Sequence, residues 1–307
     1  MLYTVCPPSP LLTQDISFTP ADSALYQQNG IFPIRKMFDP TLIHDLRNSV
    51  NRNVKQEDQP DGVIQAFDRF SNEFANRDEL FKHLTQAFLP VLAQLTGHEM
   101  AITQVAILEL EAGKKGGFDW HFDEYSFSFV DIDSPAHTLW LPLTPIDVNK
   151  QHGGMSWAHQ TDFSGKQRLK QWAHYQLADK ALKEKGAVYE QAYRAQFPSE
   201  WVGEYDKIYL ESVKQECSLD LGDALLFNRH TWHRSRPLLD NGPIQRRTTI
   251  IFRMVALDSK INRTLFEKTI ERMLLEGGVP PKSFGNRLTA FKDGDLIRDA
   301  VAAGVSY

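Results

Sequence analysis

AITQVAILELEAGKKGGFDWHFDEYSFSFV, residues 101–130, is where the character of the chain changes. Before it, apolar residues recur at helical spacing. Within it, β-branched residues crowd AITQVAILEL, and YSFSFV alternates Tyr125, Phe127 and Phe129 with Ser126, Ser128 and Val130, which predicts strands. Further strands are expected at HTLWLPL (137–143), GMSWA (154–158), ECSLDL (216–221), DALLFN (223–228) and RRTTIIFRMVAL (246–257), separated by turn clusters such as Asp240-Asn241-Gly242. Many short strands joined by turns predict a mainly β core rolled into a barrel or jelly roll.

Helices flank this region, so the class is α+β. Thr19-Pro20 has the form of an N-cap followed by proline in the first turn, with Asn29-Gly30 as the stop. Ile31 to Arg35 reads as a strand. Asp39-Pro40 opens a second helix with Leu42, Ile43, Leu46 and Val50 on one face. A third places Leu80, Phe81, Leu84, Phe88, Leu92 and Leu95 at helical period before Gly97. Residues 165–214, with Trp172, Tyr175, Leu177, Leu182 and Tyr189, read as a helical insertion between strands. The tail 259–307 returns to helix around Leu265, Phe266, Ile270, Met273 and Leu274. One domain over 1–307 is expected.

The net charge of -5 and pI near 6.1 give no basic footprint for nucleic acid. Two cysteines, Cys6 and Cys217, are too few for a disulfide scaffold and are expected as free thiols. No stretch has the length and apolarity of a membrane span or a secretory leader, so a cytoplasmic protein acting on a small molecule, as monomer or homodimer, is expected.

The chemistry is concentrated in WHFDEYSF and HTWHRSRP. His121 and Asp123 lie two apart, so on an extended backbone both side chains share a face, and a rolled double sheet can bring His233 opposite them. Two imidazoles and one carboxylate on one side of a metal leave positions open for a bidentate 2-oxo acid and O2. A His-x-Asp pair alone is common on surfaces, and Zn(II) accepts the same ligands for hydrolysis. The arginines that open RRTTIIFRMVAL favour the oxygen chemistry, since a guanidinium there can fork onto the distal carboxylate of 2-oxoglutarate. Neighbours on a strand face opposite ways, so one of Arg246 and Arg247 reaches the pocket and the other is solvated.

LYQQNGIFPIRKMFDPTLIHDLRNSV, FDWHFD, HTLWLPLTPIDVNKQHGGMSWAHQ and LDLGDALLFNRHTWHRSRP together resemble the phytanoyl-CoA dioxygenase family of Fe(II)/2-oxoglutarate oxygenases, in the family's order. The resemblance implies a double-stranded β-helix (a cupin-like jelly roll) with flanking helices, and Fe(II) with 2-oxoglutarate and O2 as co-substrates. By motif position it implies that His121, Asp123 and His233 bind iron and that Arg246 pairs with 2-oxoglutarate, with Arg247 the alternative because the loop after His233 is longer than is usual. It also implies that Ser235, Trp140 and Gln104 line the co-substrate pocket. Two turns depart from the family: Ser156-Trp157-Ala158-His159 stands where Pro-Gly-Ser-His is usual, and His152-Gly153 where Asn-Gly is. Halogenating relatives replace the carboxylate with a small residue, so Asp123 implies hydroxylation, desaturation or ring formation instead.

For the substrate, Tyr125, Phe127 and Trp157 are expected to form an apolar wall under the 165–214 insertion. His230 is a candidate substrate contact, and Arg229, Arg234 and Arg236, clustered around His233, are candidates to meet an anionic group, which makes a carboxylated metabolite one candidate substrate. The competing readings are a metal-dependent hydrolase or isomerase on a cupin-like barrel, and a non-catalytic small-molecule binding module.

Overall fold

Thr19 caps the first helix, α1 (Pro20–Asn29): its hydroxyl accepts the Asp22 N–H at 3.2 Å, and its own N–H is taken by the Asp22 carboxylate at 2.8 Å. Gly30, at φ 76°, ends it by returning its N–H to the Tyr26 carbonyl. The computed structural model describes residues 12, 16–53, 63–65, 79–114, 117–177, 184–186, 188, 202–275 and 283–306. Cys6 and parts of the 165–214 insertion and of the tail lie outside these.

Strand β1 (Ile31–Ile34) and helices α2 (Pro40–Asn53) and α3 (Glu79–Thr96) follow as the sequence predicts. The remaining strands are β2 (Val63–Gln65), β3 (Met100–Glu111), β4 (Ala136–Pro142), β5 (Met155–Trp157), β6 (Gln215–Glu216), β7 (Ala224–Asn228), β8 (His233–Ser235) and β9 (Arg246–Ala256). The remaining helices are α4 (Gly165–Leu177), α5 (Glu204–Val213), α6 (Arg263–Leu275) and α7 (Ile297–Ala302). A six-stranded sheet, β1-β7-β4-β9-β3-β2, faces a three-stranded one, β6-β5-β8, and the strand pairings among the described residues are antiparallel.

The large sheet is buried on both faces. Outside, Ile102, Val105, Ile107, Ile250, Phe252 and Met254 pack on the apolar stripes of α1, α2 and α3, including Leu46, Phe88 and Leu92. Inside, Ala106, Leu108, Trp140, Leu225, Phe227 and Ile251 meet Met155 and Trp157 of the small sheet. Each of the buried Val, Leu, Ile, Phe and Met side chains contributes roughly 1.5–3 kcal/mol by leaving water. Among the described residues no helix is long and apolar enough to cross a membrane.

Two strand expectations are corrected. YSFSFV is not a strand: Tyr125–Phe127 form a turn of 3-10 helix. The Ser128 hydroxyl bonds the Tyr125 carbonyl at 3.1 Å, and Phe127 and Phe129 are both buried against Phe266 and Phe284. Local hydroxyl bonding and packing under the C-terminal helices outweigh the two-residue alternation. ECSLDL pairs only at its start, because beyond β6 Ser218 is drawn off to Val148 and Arg35, leaving Leu219 as a lone bridge to Ile146.

Gly222 fixes the turn before β7. It stands at φ 94°, and a Cβ there would lie 2.2 Å from the Phe38 carbonyl oxygen. Gly222→Ala is therefore expected to cost roughly 1–3 kcal/mol from backbone strain, with the clash adding to it. An unchanged denaturation midpoint would contradict this.

Candidate metal centre

His121 and His233 face each other as a hydrogen-bonded antiparallel pair, His121 N–H to His233 carbonyl at 3.0 Å and the reverse at 2.9 Å. This bridge puts both imidazoles on the inner side of the barrel. Asp123 stays in line because its N–H bonds the Arg229 carbonyl at 3.2 Å, just before the chain turns. One ligand atom from each of the three lies within 4.8 Å of the others.

Each donor is held in a ligand-ready state. The Nδ1 of His121 sits 2.6 Å from the Asp119 carbonyl, and that of His233 2.9 Å from the Thr231 carbonyl. A carbonyl oxygen only accepts, so Nδ1 carries the proton in both rings and Nε2 is left for a metal. Burial, with His121 nearby, pushes the His233 imidazole down to about 3, so it is neutral at ordinary pH. Burial likewise lowers His121. Burial opposes the charge of Asp123, but Arg253, both imidazoles and the Thr138 hydroxyl overcome this and hold its carboxyl well below the usual range. Thr138 donates to one carboxylate oxygen at 2.6 Å and Arg253 to the other at 3.2 Å. Neutral imidazoles beside an ionised, oriented carboxylate fit a divalent metal.

A cavity of about 590 Å³ opens beside this group. Gln104, Trp140 and Ser235 line it, as do Leu108, Phe227 and Ile251 from the barrel wall. Gln104 also accepts a 2.8 Å bond from Arg253. The outer part is lined by Phe118, Tyr125, Ser126, Met273 and Ser283. The insertion does not serve as its cover among the described residues. Leu169 and Ala173 of α4 and Leu210 of α5 pack instead behind the ligand strands, against Trp120, Phe122 and Trp232.

The arginines are rearranged relative to expectation. Arg246 faces outward, 3.0 Å from Glu111 and 3.5 Å from Glu109 of β3, and takes no part in the cavity. Arg247 is the inward neighbour: it is 1 % exposed, with its guanidinium 5.3 Å from the ring centre of Trp140 and a bond to Thr249. No carboxylate lies within ion-pair distance of Arg247 among the described residues, and its Nε has no hydrogen-bond partner there. It is not itself in the cavity lining and meets that wall through Trp140.

The expected substrate contacts are mostly displaced. Phe127 is fully buried in the core below the C-terminal helices, under the guanidinium of Arg229. Trp157, opposite His233 in the ladder, is packed in the barrel interior. His230 is buried against the start of α4, its carbonyl taking the Gly165 N–H at 2.8 Å. Arg234 alternates to the outer side, where it pairs with Glu211 at 2.8 Å and stacks on Trp120. Only Tyr125 of the five lines the cavity. Sequence reasoning missed Arg253, Thr138 and Glu124. A lone arginine inside the apolar run IIFRMV was the available signal for the first, since a buried charge needs a partner.

No family model and no curated protein matches the sequence. Solved structures do match the fold. SnoK, a non-heme α-ketoglutarate-dependent carbocyclase from nogalamycin biosynthesis, superposes with a TM-score of 0.55 at 12% identity over 86% of this chain and 92% of its own. The epimerase SnoN, in complex with Fe3+, α-ketoglutarate and nogalamycin RO, gives 0.56 at 11% over 90% and 94%. HygX from Streptomyces hygroscopicus, with nickel and 2-oxoglutarate bound, gives 0.51 at 13% over 78% and 88%. At these identities the likeness speaks for architecture, and the fold is the cupin-like double-stranded β-helix with flanking helices.

Proposed function

We propose that the chain is an Fe(II)- and 2-oxoglutarate-dependent oxygenase acting on a C–H bond of a small molecule. The observation that carries this reading is the buried guanidinium of Arg247, with no carboxylate within ion-pair distance among the described residues, behind a cavity that already holds three convergent metal donors. Burial pushes that guanidinium down to about 9, and the charge of Glu109 offsets this only in part. A dianionic 2-oxo acid spanning from the metal donors toward Arg247 supplies the missing counter-charge. A zinc hydrolase has no use for it.

In this reading His121, Asp123 and His233 hold Fe(II), and Trp140 and Ser235 wall the co-substrate. Bound there, iron with 2-oxoglutarate and O2 supplies the power to take a hydrogen atom from an unactivated carbon, with succinate and CO2 as co-products. The chain's task is positioning. Asp119 and Thr231 fix the imidazoles, Thr138 and Arg253 fix Asp123, and the cavity wall decides which substrate carbon lies near the open coordination positions. The finer placement near the phytanoyl-CoA dioxygenases rests on the order of the motifs. The similarly folded structures include a carbocyclase and an epimerase, which supports the reaction class without choosing between hydroxylation, desaturation and ring closure.

The purified protein with Fe(II), O2 and 2-oxoglutarate should form succinate, and anaerobic conditions or Zn(II) in place of iron should stop it. Product formed anaerobically with Zn(II) from a hydrolysable substrate would favour the hydrolase instead. Arg253 gives a second expectation. Arg253→Leu should weaken Co(II) binding, followed by calorimetry, by about 10–100-fold, as loss of a ligand-orienting group does. Partial recovery with Arg253→Lys is expected, and unchanged affinity in Arg253→Leu would remove the role.

A further inference from the structure

We infer that Glu124 recognises the substrate and that the substrate carries an amine, whose N–H groups this carboxyl accepts. The inference rests on the oxygenase reading and names the substrate class of that site. Glu124 follows Asp123, is 4 % exposed and lines the cavity, yet its Oε2 has no hydrogen-bond partner among the described residues. Buried acceptors are rarely left so in folded proteins, and one that is calls for a ligand donor or an ordered water.

The neighbouring cations do not fill the gap. Arg253 gives its Nη groups to Asp123 and Gln104, and Arg229 gives its own to the Phe127 and Asp131 carbonyls. Arg234 and Arg236, the other candidates to meet an anion, are paired with Glu211 and Glu216. A carboxylated substrate would therefore meet beside Glu124 only guanidiniums whose Nη groups already serve protein acceptors. An amine gains a donor-to-acceptor match there, and the aromatic faces of Phe118 and Tyr125 on the same cavity wall favour a cation over an anion. This reverses the weight that the sequence placed on an acidic metabolite.

The test uses wild type, Glu124→Gln and Glu124→Leu, each loaded with Zn(II) and 2-oxoglutarate and each checked for a native melting transition. Ligand-observed NMR is run with matched compounds that share a carbon body and end in an amine or a carboxylate, phenethylamine and 3-phenylpropanoate among them. The amines should bind the wild type in preference to their carboxylate partners. Their dissociation constants should rise by about tenfold or more in Glu124→Leu, with a smaller rise in Glu124→Gln, whose amide oxygen still accepts. Preference for the carboxylates, no amine binding, or amine binding indifferent to both substitutions would overturn the inference. If 2-oxoglutarate itself fails to bind the metal-loaded wild type, the oxygenase reading falls and takes this one with it. Binding of 2-oxoglutarate without amine preference sinks the Glu124 assignment alone.

Discussion

Asp123→Asn is expected to lower Fe(II) affinity by more than about 100-fold, beyond the loss that substituting a ligand-orienting residue produces, and to abolish succinate formation. The amide keeps the size of the carboxyl but loses the charge that Arg253 and the Thr138 hydroxyl hold in place. Asparagine is a cleaner probe than alanine. Removing the side chain altogether leaves Arg253, whose side chain is 12% exposed, without its carboxylate partner, and breaking a buried pair one-sidedly costs about 3–5 kcal/mol in folding. Metal affinity measured by titration, beside an unchanged melting transition, separates the two effects. Succinate formation by Asp123→Asn at the wild-type rate would contradict the assignment of this residue.

Arg247→Leu is expected to raise the Michaelis constant for 2-oxoglutarate by about 100-fold or more, since a fully desolvated ion pair that loses one partner costs about 3–5 kcal/mol. Metal binding should persist, because Arg247 touches none of the three donors. The protein should fold at least as well as the parent, because leucine replaces a buried cation that has no carboxylate partner among the described residues. Arg246→Ala makes the opposite pattern. It should leave the 2-oxoglutarate constant near its parent value while lowering stability, since Glu109, 4% exposed, loses the cation beside it. A large rise in the constant with Arg246→Ala and none with Arg247→Leu would reverse the two roles.

The distinction between these arginines marks where the sequence stops being legible. Strand parity requires that only one of them face inward, and that holds. It cannot say which, because β9 is buried on both faces: Ile250 and Phe252 point to the helices while Thr249 and Ile251 point into the barrel, so no alternation of polarity is available to read. Register decides it, with Glu111 opposite Arg246 and Leu110 opposite Arg247. The helices were readable because their signals are local. Thr19, Pro20 and Gly30 act within one turn of the residues they cap, and Leu46, Phe88 and Leu92 repeat at the helical period. The His121-x-Asp123 spacing was readable for the same reason, since two residues in extended backbone share a face whatever the rest of the chain does.

What could not be read depends on packing between distant segments. YSFSFV has the composition of a strand, yet it turns because Phe127 and Phe129 find the C-terminal helices. Arg234 sits next to His233 in the sequence and on the opposite side of the sheet in space, where Glu211 of α5 neutralises it. Proximity in sequence to a ligand thus suggested a substrate contact where alternation along β8 places an outward ion pair. Glu124, by contrast, was passed over beside Asp123, since nothing local shows that its Oε2 is buried without a hydrogen-bond partner among the described residues.

An anaerobic crystal structure of the wild-type protein with Fe(II) and 2-oxoglutarate, with the iron located from its anomalous scattering, tests the central claim most directly. One iron bound by His121, Asp123 and His233 is expected, chelated by the 2-oxo acid, whose far carboxylate reaches the guanidinium of Arg247 beside Trp140. Iron held by other residues, or 2-oxoglutarate lying away from both the triad and Arg247, would contradict it.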